Sequence, residues 1–429
     1  MVSFLPTMDL RPLRRHRDFR WLFSAQLVSF LGTMVTYVAL PYQMFHLTGS
    51  LLQVGLISGV ELVPLLVTAF VGGALADYMD LRRMILATEA GLALGSGALA
   101  ISALTGHPPV WLLYGVAAWT SALNGLQRPS LEALSPRLVD HDEQPAMASL
   151  AAFRGSLGMI AGPALGGLLI ATTGLASAYL FDVLTYGFSF FAIRTIRAAL
   201  PAKTEEGSPS LRSVLDGFRY ARGRQELIGT YVIDFVAMVF GMPLSLFPAI
   251  AEPWGGAKAM GLLTAAPACG ALVATLTSRW TPRVYRHGLA VMLAATVWGL
   301  AIVAFGFAGG LWPALACLAV AGGADCVSGL FRMTLWNQTI PDSFRGRLAG
   351  IEMVSYMSGP LLGNAEAGLI AKLFNIKVSV VSGGALCVLG VAVCALLLPR
   401  FVGYDARATT AAIPALPGPA PPAGSCPPG

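Results

Sequence analysis

Ionisable side chains stand inside long apolar stretches of this sequence, where charge is hardest to hydrate. Five of them lie deep in such stretches: the acids Glu61, Asp234, Asp325 and Glu366, and the base Arg154. Charged groups at the depth of a lipid bilayer are costly, and they commonly mark ion or solute pathways. A carboxyl group in such a place can bind and release a proton, as a proton-driven carrier requires. We therefore predict the four acids as proton-coupling candidates, with Glu61 and Asp325 first because they lie at mid-depth.

The alternative for each acid is a fixed, structural ion pair. Arg154 or Arg332 could neutralise a neighbouring carboxylate, and we predict Arg154 as a buried charge partner. Asp182, Glu89 and Glu352 lie nearer the ends of their apolar stretches, and we expect these three to be hydrated.

Patterns typical of several other kinds of site are missing from the sequence. It has no GxxxxGK[ST] phosphate loop, so no ATP-driven motor is expected. Its five histidines fall in loops or at the ends of apolar stretches and it has no HExxH motif, so no metal site is expected. None of its six cysteines forms a CxxC pair, which argues against a zinc site or a disulfide framework.

The elements that must carry the acids are membrane-spanning helices. Hydrophobic residues make up 55% of the 429 residues and charged residues 12%, about half the charged share of a soluble domain. An apolar run of about 20 residues crosses a bilayer, and it must be helical to satisfy its own backbone. The predicted class is an all-α polytopic membrane protein with twelve spans, at 19–45, 51–75, 84–104, 110–134, 147–172, 177–199, 227–251, 259–280, 288–308, 312–336, 348–373 and 378–399.

Basic residues are distributed unevenly between the predicted loops. Of the 28 Lys and Arg residues, only Lys258, Lys372 and Lys377 fall on one side of the spans, and Arg154 falls inside a span. All the others lie on the other side. Because basic loops stay in the cytoplasm, both termini are predicted to be cytoplasmic. The net charge of +6 then reflects topology, and no nucleic-acid partner is expected.

Two short patterns recur six predicted spans apart. The tetrapeptide GLQR at 125–128 returns as GLFR at 329–332, and GPALG at 162–166 returns as GPLLG at 359–363. Parallel six-helix repeats of this kind describe the major facilitator architecture of two pseudo-symmetric halves. The predicted division is a cytoplasmic N-terminal segment, a first six-helix bundle, a cytoplasmic linker with a short interfacial helix, a second bundle and a disordered Pro/Ala-rich tail, at 1–18, 19–199, 200–226, 227–399 and 400–429.

The loop between the second and third spans resembles the cytoplasmic signature of the major facilitator superfamily. That signature is a Gly, three residues, an Asp and then a basic cluster, and here Tyr78 and Asp80 depart from its usual residues. The resemblance implies a latch that holds one of two access states. The alternative is an ordinary hairpin kept inside by its positive charge. The predicted latch comprises Gly73, Asp77, Arg82 and Arg83.

The fifth span carries a second signature, GMIAGPALGG at 158–167. Glycines four residues apart form a small-residue face that lets membrane helices pack backbone to backbone, and a proline bends the helix. The full pattern resembles that of the drug–proton antiporter branch of the superfamily, which implies export. Packing without a transport role is the alternative. The residues concerned are Gly158, Gly162, Pro163, Gly166 and Gly167.

The opening of the chain and its central linker resemble the exporter group that includes the enterobactin exporter and macrolide efflux proteins. The resemblance rests on segments such as 39–41 (ALP), 47–50 (LTGS), 53–56 (QVGL) and 210–220. It implies a secondary transporter of the inner membrane that exports a small organic solute, a siderophore or a drug-like compound, by proton antiport. The expected partners are the lipid bilayer and that solute, with no cofactor beyond the proton gradient, no ATPase subunit and a monomeric state.

Two other functions stay open at this point. A proton-coupled importer of a small nutrient would keep the fold and reverse the direction, against the fifth-span signature. A membrane receptor or enzyme that transports nothing would need ligand clusters or an extramembrane domain, neither of which the sequence suggests. Aromatic candidates for solute contact are Tyr37, Phe235, Trp298 and Trp336.

Overall fold

A computed structural model describes residues 9–106, 108–197, 223–340 and 342–407. Within those ranges the side chains of 70, 73–78 and 342–354 lie outside the described part. The regular structure of the described ranges is helical. The predicted linker at 200–226 and tail at 400–429 fall largely outside them.

In the part of the chain that the structure describes, twelve long helices carry the fold, and we number them in chain order. The first six are α1 Arg17–Thr48, α2 Leu51–Tyr78, α3 Leu81–Leu104, α4 Val110–Leu134, α5 Gln144–Thr173 and α6 Leu175–Arg194. The second six are α7 Gln225–Phe240, α8 Ala257–Leu276, α9 His287–Gly306, α10 Leu311–Thr339, α11 Asp342–Leu373 and α12 Ile376–Leu397. Short α-helices lie at Arg11–Arg15, Phe247–Ala251 and Pro399–Val402, and 3-10 turns at Ser135–Leu138, His141–Glu143, Leu244–Leu246, Glu252–Trp254 and Ser278–Arg283.

The multi-pass helical fold is confirmed. In the described residues, ten helical segments are long and apolar enough to cross a membrane. The long helices outside this group are α4 and α11, so the count of twelve spans stays a prediction. The last turns of α4 carry the polar residues Gln127, Arg128 and Glu132.

The predicted seventh span, 227–251, is not one continuous helix. α7 ends at Phe240, and the chain continues through a 3-10 turn into the short helix Phe247–Ala251. Pro243 and Pro248 explain the break, because proline has no N–H for the helical ladder. The interrupted backbone is satisfied from α11: the Ser245 N–H donates to Asn364 Oδ1 at 3.1 Å, and the Ser245 hydroxyl donates to the Asn364 carbonyl at 2.8 Å.

The same helix pairs occur in both halves. α2 packs on α4, α3 on α6 and α1 on α5, and six helices later α8 packs on α10, α9 on α12 and α7 on α11. The main contacts across the halves, α2 with α11 and α5 with α8, also match by this shift. The internal repeat predicted from the sequence is therefore a repeat in packing.

The apolar core is shared between the halves at one end only. We call the end where arginines lie in or beside the α2–α3, α4–α5 and α8–α9 connections the basic end, and we call the other the opposite end. At the opposite end one cluster joins residues of both halves, such as Val54 and Met260. At the basic end each half has a separate cluster, one around Phe19 and one around Phe331. The halves are thus joined at the opposite end and separate at the basic end.

The segment after α12 completes the core of the second half. Phe401 is fully buried between two glycines, Gly229 of α7 and Gly288 of α9, where an added Cβ would collide with it. The Tyr404 hydroxyl donates to Gln338 Oε1 of α10 at 3.1 Å, and the Ala406 N–H donates to the Tyr285 carbonyl at 3.0 Å. This docked segment ties three helices together at the basic end.

Candidate functional site

A central chamber of about 290 Å³ lies between the two halves. The first half lines it from α1, α2, α3, α4 and α6, and the second from α8, α11 and the turn before Phe247. Most polar lining residues belong to the first half: Thr33, Thr36, Tyr37, Ser58, Glu61, Ser96, Thr120, Ser121, Asn124, Asp182 and Tyr186. The second half adds Ser245, Thr264 and Asn364 among apolar residues such as Met260. The chamber can therefore hydrogen-bond a solute on one side and pack against it on the other.

The charged residues in the chamber lining are two acids, Glu61 and Asp182. The Ser121 hydroxyl donates to the backbone carbonyl of Glu61 at 2.7 Å. The Glu61 carboxyl group forms no hydrogen bond or ion pair with the described residues, and Tyr37 lies beside it. Of the four predicted proton-coupling acids, Glu61 is the one that lines the chamber with its carboxyl group unengaged.

A larger cavity of about 760 Å³ adjoins the chamber on the side of the basic end, and we call it the vestibule. It shares Thr33, Asn124 and Tyr186 with the chamber lining. Its charged lining residues are Arg128, Glu132 and Arg154, and Arg128 is paired with Glu132. A solute in the chamber therefore has its route outward through the vestibule, towards the basic end.

At the opposite end, glycines bring the two halves into backbone contact. A Cβ atom on Gly55 of α2 would lie 3.2 Å from the Cα atom of Gly368 on α11. A Cβ atom on Gly167 of α5 would lie 3.0 Å from the Cα atom of Gly261 on α8. These two crossings leave no room for a side chain, so the halves are closed together at this end.

The α5 glycines divide between two partners. Gly158, Gly162 and Gly166 face α1 of the same half, where Phe30, Met34 and Val35 fill the space of the absent side chains. Gly167 instead faces the other half. The signature at 158–167 therefore serves both the packing of the first half and the contact between halves.

Two of the predicted acids meet one arginine in the second half. Arg332 of α10 forms an ion pair with Asp234 of α7, and its other terminal nitrogen lies 3.8 Å from Asp325 Oδ1. The side chains of Arg332 and Asp234 are 12% and 9% exposed, and that of Asp325 is 41% exposed. This is the paired arrangement considered as the alternative for these acids. Neither Asp234 nor Asp325 lines the chamber.

The remaining charged candidates are placed apart from these groups. Glu366 is half-buried on α11 and does not line the chamber. Arg154 is half-buried in the vestibule wall, and it forms no ion pair within the described residues. Among the four aromatic candidates, Tyr37 alone lines the chamber, whereas Trp298 is buried and Trp336 donates to the Thr230 hydroxyl at 2.8 Å.

Of the predicted latch residues, only Arg82 and Arg83 have described side chains. The backbone of Gly73 and Asp77 belongs to α2, but their side-chain surroundings lie outside the described residues. Asp80 caps α3 by accepting from the backbone N–H groups of Arg82 and Arg83 at 2.9 and 3.3 Å. The Arg82 side chain donates to the Arg194 carbonyl at the end of α6. An Asp directly before a helix is a common N-cap, so this position could have been recognised from the sequence.

Two acids expected to be hydrated are buried instead. Asp182 of α6 is 1% exposed, and Glu89 of α3 is 3% exposed. Glu89 accepts a hydrogen bond from Gln127 Nε2 at 2.9 Å. The sequence position suggested shallow depth, but α3 and α6 pack face to face along their length and remove both acids from solvent. Glu352 lies outside the residues with described side chains.

The comparisons with known proteins agree with this architecture. The chain matches the family of transmembrane secretion effectors over residues 7–417. It is 29% identical over 388 residues to the enterobactin exporter EntS of Escherichia coli O1:K1, across 90% of this chain and 92% of the relative. The enterobactin exporter EntS of Shigella boydii serotype 18 is similar to the same extent.

Solved structures share the fold at low sequence identity. A POT family transporter in complex with 5-aminolevulinic acid gives a TM-score of 0.71 at 11% identity, over 93% of this chain and 99% of that one. A bacterial homologue of the iron transporter ferroportin in an inward-facing state gives 0.67 at 14% identity, over 90% and 98%. With the match over residues 7–417, the chain belongs to the transmembrane secretion effector family of the major facilitator superfamily.

Proposed function

We propose that this secondary transporter exports a small organic solute, a siderophore or a drug-like compound, from the cytoplasm in exchange for protons. The observation that carries the proposal is a polar chamber between two six-helix halves, in a chain similar to the enterobactin exporter EntS over 90% of its length. Alternating closure of the halves around such a chamber is how carriers of this architecture move solutes.

The chemistry of the chamber supports a neutral or cationic solute with many hydrogen-bonding groups. Its charged lining residues are two acids, and hydroxyl and amide groups surround them. An organic anion would face like charge at short range, which is unfavourable away from water. Bulky solutes could extend into the adjoining vestibule, whose volume is about 760 Å³.

The direction of transport follows from the orientation that we propose. If the basic end faces the cytoplasm, as positively charged loops do, the chamber opens towards the compartment in which the solute is made. The chain would then lie in the inner membrane with both termini inside. Release on the far side requires the Gly55–Gly368 and Gly167–Gly261 crossings to separate and the basic end to close. In this scheme Gly73, Asp77, Arg82 and Arg83 form the latch that stabilises one of the two states.

Protons are the coupling ion in this proposal, and no other cofactor takes part. Glu61 is the leading candidate because proton and solute would meet at its unengaged carboxyl group in the chamber. Solute binding that favours the ionised form and solute release that favours the protonated form would together couple the two fluxes. The carrier would act as a monomer, with the lipid bilayer as its environment.

Inside-out membrane vesicles containing the full chain test this proposal, with enterobactin as the probe. Acidifying the vesicle interior should drive accumulation of the probe, and a protonophore should abolish it. Accumulation driven from the opposite pH gradient would support an importer. Vesicles that behave like those lacking the protein, for enterobactin and for a panel of drug-like cations, would favour the non-transporting alternative.

A further inference from the structure

The buried carboxyl group of Asp182, in the first half, receives its hydrogen bonds from uncharged side chains. Asp182 of α6 is 1% exposed and lines the chamber. The Thr36 hydroxyl of α1 donates to its Oδ2 atom at 2.6 Å, and the Ser96 hydroxyl of α3 donates to the same atom at 2.7 Å. Asp182 forms no ion pair within the described residues. Three helices therefore converge on one acid with neutral partners.

The two oxygens of this carboxyl group differ. Oδ2 accepts two short hydrogen bonds, whereas Oδ1 has only the Thr185 hydroxyl at 3.5 Å, and that hydroxyl donates mainly to the Asp182 carbonyl at 2.7 Å. Oδ1 is thus the oxygen whose lone pairs are less engaged, and it is the one that can take up a proton. A hydroxyl can donate to a carboxylate or accept from a carboxylic acid after rotating. The surrounding therefore accommodates either protonation state without moving a helix.

Asp234 in the second half provides the contrast. Its partner is the guanidinium of Arg332, which stays charged at all physiological pH values and cannot accept a hydrogen bond. Such a partner favours the ionised form of the acid. An acid held by hydroxyls, in a place where uncompensated charge is costly, is free to exchange its proton.

A glycine on α1 makes the arrangement possible. A Cβ atom on Gly32 would lie 2.5 Å from Asp182 Oδ1 and would collide with the Thr185 hydroxyl. The missing side chain lets α6 bring Asp182 against the α1 backbone. Gly32 thus acts as a positioning residue for the Oδ1 atom.

We propose that Asp182 is a second proton-binding site of the carrier, distinct from Glu61, formed by Thr36, Ser96 and Gly32. This inference rests on the proposed proton antiport. A proton enters from the aqueous phase through the chamber, adds to Oδ1 and gives the neutral acid. In the other access state the same proton returns to water and leaves the carboxylate. No other bond is made or broken.

The ionisable groups around Asp182 are few. Tyr179 and Tyr186 lie on its own helix, and Glu89 approaches from α3. α1 contributes Gly32 and the Thr36 hydroxyl to this contact, and Glu61 of α2 faces the shared chamber. A proton on Asp182 would lessen its repulsion with Glu89, so these two acids are expected to influence each other.

Infrared titration of the purified full chain in lipid nanodiscs tests the site without any solute. The wild type should show a carboxylic C=O band that disappears as pH rises, and Asp182→Asn should lose that one band. Thr36→Val should keep the band and move its midpoint to higher pH, because the carboxylate loses a donor. Thr334→Val, which removes a hydroxyl far from Asp182, is the control and should leave the midpoint unchanged.

The infrared titration and the vesicle transport assay together separate failure of this site from failure of the proposed antiport. An unchanged spectrum in Asp182→Asn, or an unshifted midpoint in Thr36→Val, would overturn the site. Thr36→Val also decides the matter if Asp182→Asn does not fold. Absence of proton-driven enterobactin transport in wild-type vesicles would instead overturn the antiport, whatever the infrared titration shows.

Discussion

Gly167 of α5 and Gly261 of α8 bring the two halves into backbone contact, since a Cβ atom on either would lie 3.0 Å from the Cα atom of the other. Gly167 belongs to the first half and Gly261 to the second, so their contact can exist only while the opposite end is closed. A substitution at this contact therefore tests whether closure of the opposite end is needed for transport.

Gly167→Val should reduce transport about tenfold, because overpacking a tight contact costs about 1–3 kcal/mol and here burdens only the state in which the halves touch. Enterobactin export by cells, normalised to protein abundance, measures the effect. Gly155→Ala is the matched control on the same helix, where nothing lies within 4 Å of an added Cβ. Equal transport by the two variants would mean that the crossing is not part of the cycle.

Arg332→Gln should lower the abundance of folded protein, since breaking a buried ion pair by removing one partner costs about 3–5 kcal/mol. The internal repeat supplies the control. Arg128 occupies the corresponding place in the first half, but its ion pair with Glu132, at 2.9 Å, is exposed. Arg128→Gln should therefore leave abundance near that of the wild type. Fluorescence size-exclusion profiles of both variants measure this, and a stable Arg332→Gln protein would count against a structural role for the pair.

Glu61→Gln should keep exchange of solute down its gradient and lose proton-driven accumulation, because glutamine fixes a neutral side chain of nearly the same size. Counterflow and accumulation of enterobactin in the same vesicles measure the two activities. Asp325→Asn is the comparison, since Asp325 lies near Arg332 and outside the chamber. We expect this variant to retain both activities or lose both. Full accumulation by Glu61→Gln would remove that residue from the coupling mechanism.

A reporter that is active only in the cytoplasm should work when fused after Arg224 and fail when fused after Ala257. These positions lie at the two ends of the interrupted seventh span, Gln225–Trp254, and the arginines cluster at the first of them. The positive-inside tendency predicts this pattern. The reverse activities would place the vestibule outside the cell and turn the proposed exporter into an importer.

The sequence predicted the fold well where the signal is local or repeated. Apolar runs gave the positions of the long helices, and the recurrence of GPALG as GPLLG six spans later predicted two halves that pack alike. The sequence analysis missed the break after α7, although Pro243 and Pro248 are signals for it. The reason is that the mean hydropathy of 227–251 stays high through both prolines. The apolar composition of the segment was given more weight than its two helix-breaking prolines.

The site was less predictable because its contacts join residues far apart in the chain. Depth along a span suggested that Asp182 is hydrated, but its burial depends on Thr36 and Ser96, which lie on two other helices. The pairing of Asp234 with Arg332 likewise joins α7 to α10. Spacing in the sequence ranks acids by depth, whereas their partners follow from which helix faces meet.

The docking of Phe401 has a consequence for how the protein is made. The residue fills a gap between Gly229 and Gly288, where the two helices have no side chain. It belongs to the last described stretch to leave the ribosome, after every long helix has been synthesised. A chain cut before Pro399 would therefore present an incomplete second half to cellular quality control, and affinity tags should be joined beyond Arg407.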